Sequence, residues 1–422
     1  MTLHESTHAH DIAIIGGGIG GLTLALMLHA SGLPCRIRVY EAVPEIKALG
    51  VGINLQAHAT RELSALGLEP ALRAASVEPK EQLFFSHHGQ LIFRELVGLA
   101  AGYAFPHFSI HRGELHLVLL AAVRERLGPD AVMTGYRCVR VDQSETGVAL
   151  QFVDPAGVAR EPVRADMAVA CDGINSTIRQ QFYPLEGSPV YHGINMWRGV
   201  TRAKPFLGGA SATRIGGLQT TNKMVVYPIR NDIDGAGNQL INWVAEAVTN
   251  IRESVDWSKA GKLSDFYHFY QDWTFDWLDV AGLIRDADFV LSYPMVDRDP
   301  IDRWSFGRVT LLGDAAHPMY ARGGNGAAQA IIDAHAIVDA LLADRHPVSA
   351  FAAYEAARLP ATSKIVLMNR EAPPDLIIDT VERLTGGKRF DNIDDVIDQS
   401  ELKAISDAYN HAADTARNVR KS

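Results

Sequence analysis

Asp11-Ile-Ala-Ile-Ile-Gly-Gly-Gly-Ile-Gly-Gly-Leu22 is the stretch whose reading decides the fold. Ile12 to Ile15 form a short apolar run, the signature of a strand buried in a parallel sheet. Gly16, Gly18 and Gly21 then follow the G-x-G-x-x-G spacing. From Leu22 the apolar residues recur at helical intervals through Leu24, Ala25, Leu28 and Ala30. Strand, glycine turn and helix together are a dinucleotide fingerprint. The first glycine permits the tight turn, the second admits a pyrophosphate, and the third lets helix and strand pack closely. The helix N-terminus faces the phosphates. A second strand, Arg36 to Tyr40, leads into Glu41, 20 residues beyond Gly21. A carboxylate at that place accepts ribose hydroxyls. A glycine turn without a ligand is the alternative, and the complete context argues against it.

Bulk properties bound the rest. The chain has 422 residues, of which 47% are hydrophobic and 21% charged, an ordinary globular composition long enough for two or three domains. A net charge of −9 argues against a nucleic-acid partner. Cys35, Cys138 and Cys171 are too scattered for a disulfide framework or a C-x-x-C metal pair, so a cytoplasmic protein without a metal is expected. No apolar run reaches about 18 residues, so no integral membrane contact is expected. The first ten residues carry His4, His8 and His10 but lack a signal-peptide core; a solvated tail is expected rather than a metal site.

Downstream, Gly50 and Gly52 flank a loop close in sequence to the nucleotide strand, either a ligand approach or a simple turn. Helices are predicted over 57–66 and 114–127, and strands around the turn His88-Gly89. Arg112, just before the second helix, is either a surface charge or a phosphate-facing donor. Strands are predicted over 136–141, 148–153 and 163–170, the last delivering Asp172-Gly173 and an N-cap at Ser176. Residues 183–295 are rich in Trp and Tyr, including Trp197, Tyr227, Trp243 and Trp257. They predict an antiparallel sheet covered by a helix over 266–278. Strand 308–312 then opens into Gly313-Asp314, and Gly323, Gly324 and Gly326 bring bare backbone to a helix running to about Leu342. Asp314 falls at the C-terminal end of a strand, where ligands collect in parallel sheets. The helix start can stabilise an anion such as the pyrimidine edge of a reduced flavin. A helix over 352–370, kinked or broken at Pro360, and helices over 375–384 and 393–416 complete the chain.

These stretches, in this order and spacing, resemble the class A FAD-dependent aromatic monooxygenases of the para-hydroxybenzoate hydroxylase type. The likeness covers about residues 8–370. Gly16 to Gly21 look like the adenosine-diphosphate motif of that family, Asp172-Gly173 like its Asp-Gly motif, and Gly313-Asp314 like its Gly-Asp motif. The wording of residues 49–56, 109–115, 121–128, 196–201 and 293–300 is similar to its 5-methylphenazine-1-carboxylate monooxygenase branch, without fixing the substrate. The resemblance implies an α/β fold: a Rossmann-like FAD-binding domain (1–80, 100–182 and 290–365), an inserted antiparallel-sheet substrate domain (81–99 and 183–289), and a C-terminal helical segment (366–422).

It also implies roles. Glu41 should bind the adenosine ribose, and Arg112 should reach the FAD linker. Asp172 should serve FAD and the nicotinamide cofactor, and Asp314 the ribityl chain. Gly324, Asn325, Gly326 and Ala327 should face the flavin pyrimidine edge, and Val51 and Gly52 the isoalloxazine ring. Where relatives have a proline near position 321, this chain has Ala321-Arg322, so Arg322 holds either an anionic substrate group or an exposed or phosphate-facing position. Trp197, Tyr227 and Tyr320 are candidate pocket walls, with core packing as the alternative. His317 is either a base that deprotonates a phenol or a structural cap.

The implied reaction uses FAD, NADH or NADPH (NADH favoured, since no arginine pair follows Glu41) and O2. It hydroxylates a carboxylate- or hydroxyl-bearing ring, with or without decarboxylation, through a flavin C4a-hydroperoxide. A monomer or homodimer is expected. The rival readings are a non-hydroxylating flavin dehydrogenase or reductase, a non-catalytic flavin-binding regulator, and a lipid-acting reductase of the same fold.

Overall fold

The computed structural model describes residues 9–249, 259–371 and 373–412. His4, His8, Trp257 and the end of the last predicted helix lie outside them. The apolar run His10–Ile15 is the centre of a six-stranded sheet, paired in parallel with Cys35–Glu41 on one side and Met167–Ala170 on the other. Val132–Thr134 extends one edge; Val309–Leu311 and Ser305–Phe306 extend the other. The central strands are apolar on both faces because helices cover both. Ile19–Ala30 packs between Arg112–Leu127 and Gly326–Ala343. Gly326–Ala343 is long and apolar enough to match a membrane span, with a mean hydropathy of 1.3, yet it packs inside this core with half its residues buried.

A seven-stranded, mainly antiparallel sheet forms the second layer, in the order Phe289–Asp297, Val190–Ala203, Gln239–Val248, Lys223–Arg230, Ser211–Ile215, Glu81–Phe85, Leu91–Leu96. Residues 290–297, assigned above to the nucleotide-binding part, are therefore an edge of this sheet. One face packs on aromatic residues such as Trp243, Phe266 and Tyr270; the other turns toward the nucleotide layer.

Three local expectations change. The helix predicted over 266–278 is a single turn, Leu263–Phe266, then a 3-10 turn, Tyr267–Phe269, and a short hairpin, Thr274–Phe275 with Leu278–Asp279. Its bulky rings are poor helix formers and bury themselves individually, as Tyr270 and Trp273 do. The strand predicted over 163–170 is two strands in different sheets, Val163–Ala165 and Met167–Ala170. Between them Asp166 accepts a hydrogen bond from the Asp11 amide at 2.7 Å. The helix containing Pro360 runs unbroken from Pro347 to Glu371, because a buried stripe on both sides of the proline holds it: Tyr354 and Arg358 before, Thr362 and Ile365 after.

Candidate functional site

The glycine turn is built as a phosphate cradle. Gly16 has φ +103°, and a Cβ there would stand 2.3 Å from the Cys171 carbonyl oxygen, so only glycine fits between the two strand ends. A Cβ on Gly21 would meet the Gly16 carbonyl oxygen at 2.1 Å. A Cβ on Gly18 would meet nothing within 4 Å, and the helix behind it has no side-chain cap. Its first amides therefore face open space. Glu41, at the end of the neighbouring strand, accepts from the amides of Gly17 at 2.7 Å and Val43 at 2.9 Å. A carboxylate has lone pairs left for two ribose hydroxyls. These features fit the ADP half of FAD, and Arg112, beside Gly50, stands at the first turn of a helix whose His116 reaches the Gly17 carbonyl.

Asp172 and Asp314 leave adjacent strands of the parallel sheet. Asp172 caps the short helix behind it, its Oδ2 accepting from the Thr177 amide at 2.9 Å; its other oxygen is buried without a partner. Burial raises its pKa. Asp314 opens onto the cleft, yet the protein packed around it raises its pKa as well. Arg179, which with Ser176 opens the helix after Asp172-Gly173, ties the two segments together. It is buried, pairs with Glu186, and donates to the carbonyls of Ala315 and Ala316 at 3.2 and 2.7 Å.

A cleft of about 1040 Å³ of atom-free space, part of it open to solvent, lies between the sheets. Its floor is the Gly52–Asn54 strand, one wall is the segment Met319 to Arg322 with Gly324 to Ala327, and the other is the antiparallel sheet. Because side chains alternate along a strand, Met196 and Arg198, Val225 and Tyr227, and Val244 and Glu246 face it. Trp197 points the other way and stacks on Phe266, so it is core, not a pocket wall. Tyr227 and Tyr320 do line the cavity. The Tyr227 hydroxyl donates to the Gly52 carbonyl at 2.9 Å, which Arg198 also holds, at 2.5 Å. The Tyr320 hydroxyl is buried without a partner. Val51 is buried against Tyr227 and Val200. The helix beginning at Gly326 has no side-chain cap and no acidic residue in its first turn, so it presents bare amides at the cavity.

For two residues the structure separates the alternatives, against His317 as a base and for Arg322 in the pocket. His317 is absent from the cavity lining; it is buried, with Nε2 2.5 Å from Asp333, which Arg358 also holds at 2.8 Å. That network, beside Trp304, makes it a strut at the strand end. Arg322 is neither exposed nor phosphate-facing: it lines the cavity, is 3% exposed, and donates to Asp375 at 2.7 Å. Arg214 and Lys223 also line the cavity and were missed. The signal was present as charged residues inside apolar strand runs, such as Arg198, Lys223 and Glu246, which are costly unless they serve a buried site. A second cavity adjoins the first, sharing Asn54, Arg214, Gly324 and Asn325, and is bordered by His107, Glu95 and Tyr409. Among the described residues no cluster of His, Cys, Asp or Glu is placed to hold a metal.

Comparison with known proteins agrees with this arrangement. A family model described as an FAD binding domain matches residues 9–228 and 292–368. The phenazine 1,6-dicarboxylic acid hydroxylase PhzS of Lysobacter antibioticus is 40% identical over 408 residues, covering 96% of this chain and 97% of its own. The 3-hydroxybenzoate 6-hydroxylase of Polaromonas naphthalenivorans is 30% identical over 88% of this chain and 90% of its own. The structure of Klebsiella pneumoniae HpxO, solved with FAD and uric acid, superposes with a TM-score of 0.72 at 22% identity over 96% of both chains, a likeness of fold. With the family match and the hydroxylase relatives both spanning the two halves of the parallel sheet, the chain belongs to the class A FAD-dependent aromatic-ring monooxygenases.

Proposed function

We propose that the cavity between the two sheets receives an aromatic or heteroaromatic ring bearing a carboxylate or hydroxyl group, and that the protein hydroxylates it with NADH or NADPH and O2. The observation that carries this is the lining itself. Four cations, Arg198, Arg214, Lys223 and Arg322, outnumber the two carboxylates, Glu246 and Asp314, in a cavity otherwise lined mainly by apolar, tyrosine and glycine residues, beside the bare helix start at Gly326. Bound FAD would supply the redox chemistry, taking hydride from the nicotinamide and activating oxygen.

The protein's own part is binding and orientation. Gly16, Gly18 and Gly21 would admit the pyrophosphate, Glu41 the ribose, Arg112 the linker and Asp314 the ribityl hydroxyls; Asp172 stands behind them as a helix cap. The amides at Gly324 to Ala327 would stabilise negative charge at the flavin pyrimidine edge. Tyr227 and Arg198 fix the Gly52 carbonyl, so the backbone at Val51-Gly52 keeps one position beside the ring site. Apolar walls from Met196, Val225 and Val244 would exclude water. A cytoplasmic monomer or homodimer, divided into FAD-binding, substrate and C-terminal parts, completes the reading.

The test is NADH oxidation by the FAD-loaded protein against a panel of aromatic carboxylic acids and phenols, with product masses read in parallel. A compound that accelerates oxidation and gains one oxygen atom, with or without loss of carbon dioxide, supports the reading. Flavin that responds to no ring compound with either nicotinamide refutes it.

A further inference from the structure

Asp375 lies in the C-terminal segment, outside the cavity lining, and is fully buried. Three cavity cations from three different elements converge on it. Arg322, from the loop before Gly326, donates to it at 2.7 Å; Lys223 Nζ is 3.5 Å away and Arg214 Nη1 3.9 Å. Arg214 in turn donates to the Arg322 carbonyl at 3.0 Å, and Lys223 pairs with Glu246 at 3.1 Å. The same segment fixes the loop at two more points. Asn369 donates to the Tyr320 carbonyl at 3.1 Å, and Asn325 donates to the Tyr409 hydroxyl at 3.0 Å. Tyr409 lies so close to Gly323 that a Cβ there would overlap its oxygen.

Charge balance shows what this arrangement is prepared for. Of the four cavity cations, Arg214, Lys223 and Arg322 share Glu246 and Asp375; counting Asp314, which also lines the cavity, four cations meet three carboxylates among the described residues. Among the described residues Nε of Arg322, Nε of Arg198 and the Tyr320 hydroxyl are buried without a partner, and Oδ1 of Asp375 meets Lys223 and Arg214 only by charge, at 3.5 and 3.9 Å. Buried cations in excess, with unused donors at one cavity, are costly unless an anion completes them. Burial alone would raise the pKa of Asp375, but Lys223, then Arg322 and Arg214, hold it below the usual carboxylate range, so it stays charged.

We propose that Asp375 is the positioning residue for anionic ring substrates: it orients Arg322 and Lys223 around the cavity, and Arg322 supplies the contact to the substrate carboxylate. This rests on the reading of the cavity as the ring site. The C-terminal segment is then a working part of the site, not merely a cover.

The test titrates FAD-loaded protein with phenazine-1-carboxylate and with its carboxamide, which matches it in shape but is neutral, and follows the flavin absorbance without turnover. In Asp375→Asn the carboxylate Kd should rise roughly 10- to 100-fold, the worth of one charge-assisted hydrogen bond, while the carboxamide Kd stays within about twofold. Arg322→Gln should show the same selective loss, and adding Asp375→Asn to it should change the ratio no further. Equal weakening of both ligands, no change, or tighter carboxylate binding overturns the proposal. If Asp375→Asn does not load FAD, the double variant Asp375→Asn/Arg322→Gln removes the pair together; loss of carboxylate preference supports the proposal, and retention overturns it. Wild-type protein that responds to both ligands equally overturns this inference alone. Wild-type protein that responds to neither overturns the ring-site reading as well.

Discussion

Replacing Gly18 and Gly16 by alanine separates cofactor binding from folding. Gly16 sits at φ +103° with its virtual Cβ 2.3 Å from the Cys171 carbonyl oxygen. A side chain in that backbone region costs about 1–2 kcal/mol, and forcing the contact apart about 1–3 kcal/mol more. Gly16→Ala should therefore destabilise the apoprotein by about 2–5 kcal/mol. Gly18 is at φ −76° and ψ −173°, a conformation open to any residue, and its virtual Cβ has no neighbour within 4 Å. Gly18→Ala should leave the apoprotein within about 1 kcal/mol of wild type, because alanine narrows the unfolded ensemble but is a poorer N-cap than glycine at this helix start. With FAD present, that methyl would crowd the phosphates at the helix start. Crowding worth about 1–3 kcal/mol weakens binding roughly 5- to 150-fold. Urea unfolding of the apoproteins and FAD fluorescence titration read the two quantities separately. Gly18→Ala with an unchanged FAD Kd would refute the placement of the pyrophosphate. Gly18→Ala with an apoprotein destabilised as much as Gly16→Ala would refute the claim that the space is open.

Arg179→Met removes the buried link between the Asp172 and Asp314 segments and should cost about 3–5 kcal/mol, nearer the lower figure because Arg298 still pairs with Glu186 at 3.1 Å; the midpoint of urea unfolding checks it. Trp197→Ala should cost about 3–5 kcal/mol of stability yet leave ligand-induced flavin absorbance changes intact, since the indole faces Phe266 and not the cavity. His317→Asn should lower the melting temperature without moving the pH profile of turnover; a lost ionisation in that profile would restore His317 as a base. Burial lowers the pKa of His58 to about 3 and of His107 to about 4, so below pH about 6.5 the unfolded chain takes up protons that the folded chain refuses. Stability should fall as pH drops from about 6.5 toward 4, His107 alone contributing about 3 kcal/mol. Asp379, raised to about 6 by burial and then by Asp375, acts in the opposite direction and offsets part of the loss. Melting curves across that range should be flatter for His107→Gln, and equal slopes would dismiss the assignment.

Local signals made the nucleotide half legible. The apolar run before Gly16, the glycine spacing and Glu41 depend on neighbours close in sequence, and so do the turns at Asp172 and Asp314. The helix over 266–278 failed because its periodicity came from rings that bury one by one against a sheet unseen in the local pattern. Trp197 was misplaced for a related reason. Alternation assigns it to the face opposite Met196 and Arg198, but only the sheet's packing says which face meets the cofactor side.

By itself, then, the sequence determined the strand–turn–helix of a dinucleotide fingerprint and the order of the three motif stretches, because each rests on backbone geometry and residue spacing within a short segment; the chemistry of a flavin monooxygenase was implied by the family those stretches resemble. Only the tertiary structure decided that His317 is a strut, that Arg322 is buried, and that Asp375 gathers Arg322, Lys223 and Arg214 across 53, 152 and 161 positions of chain (375 − 322, 375 − 223, 375 − 214). Coulomb attraction and desolvation act through space, so a charge's partner is fixed by which surfaces the fold brings together and leaves no periodicity along the chain for a reader to find.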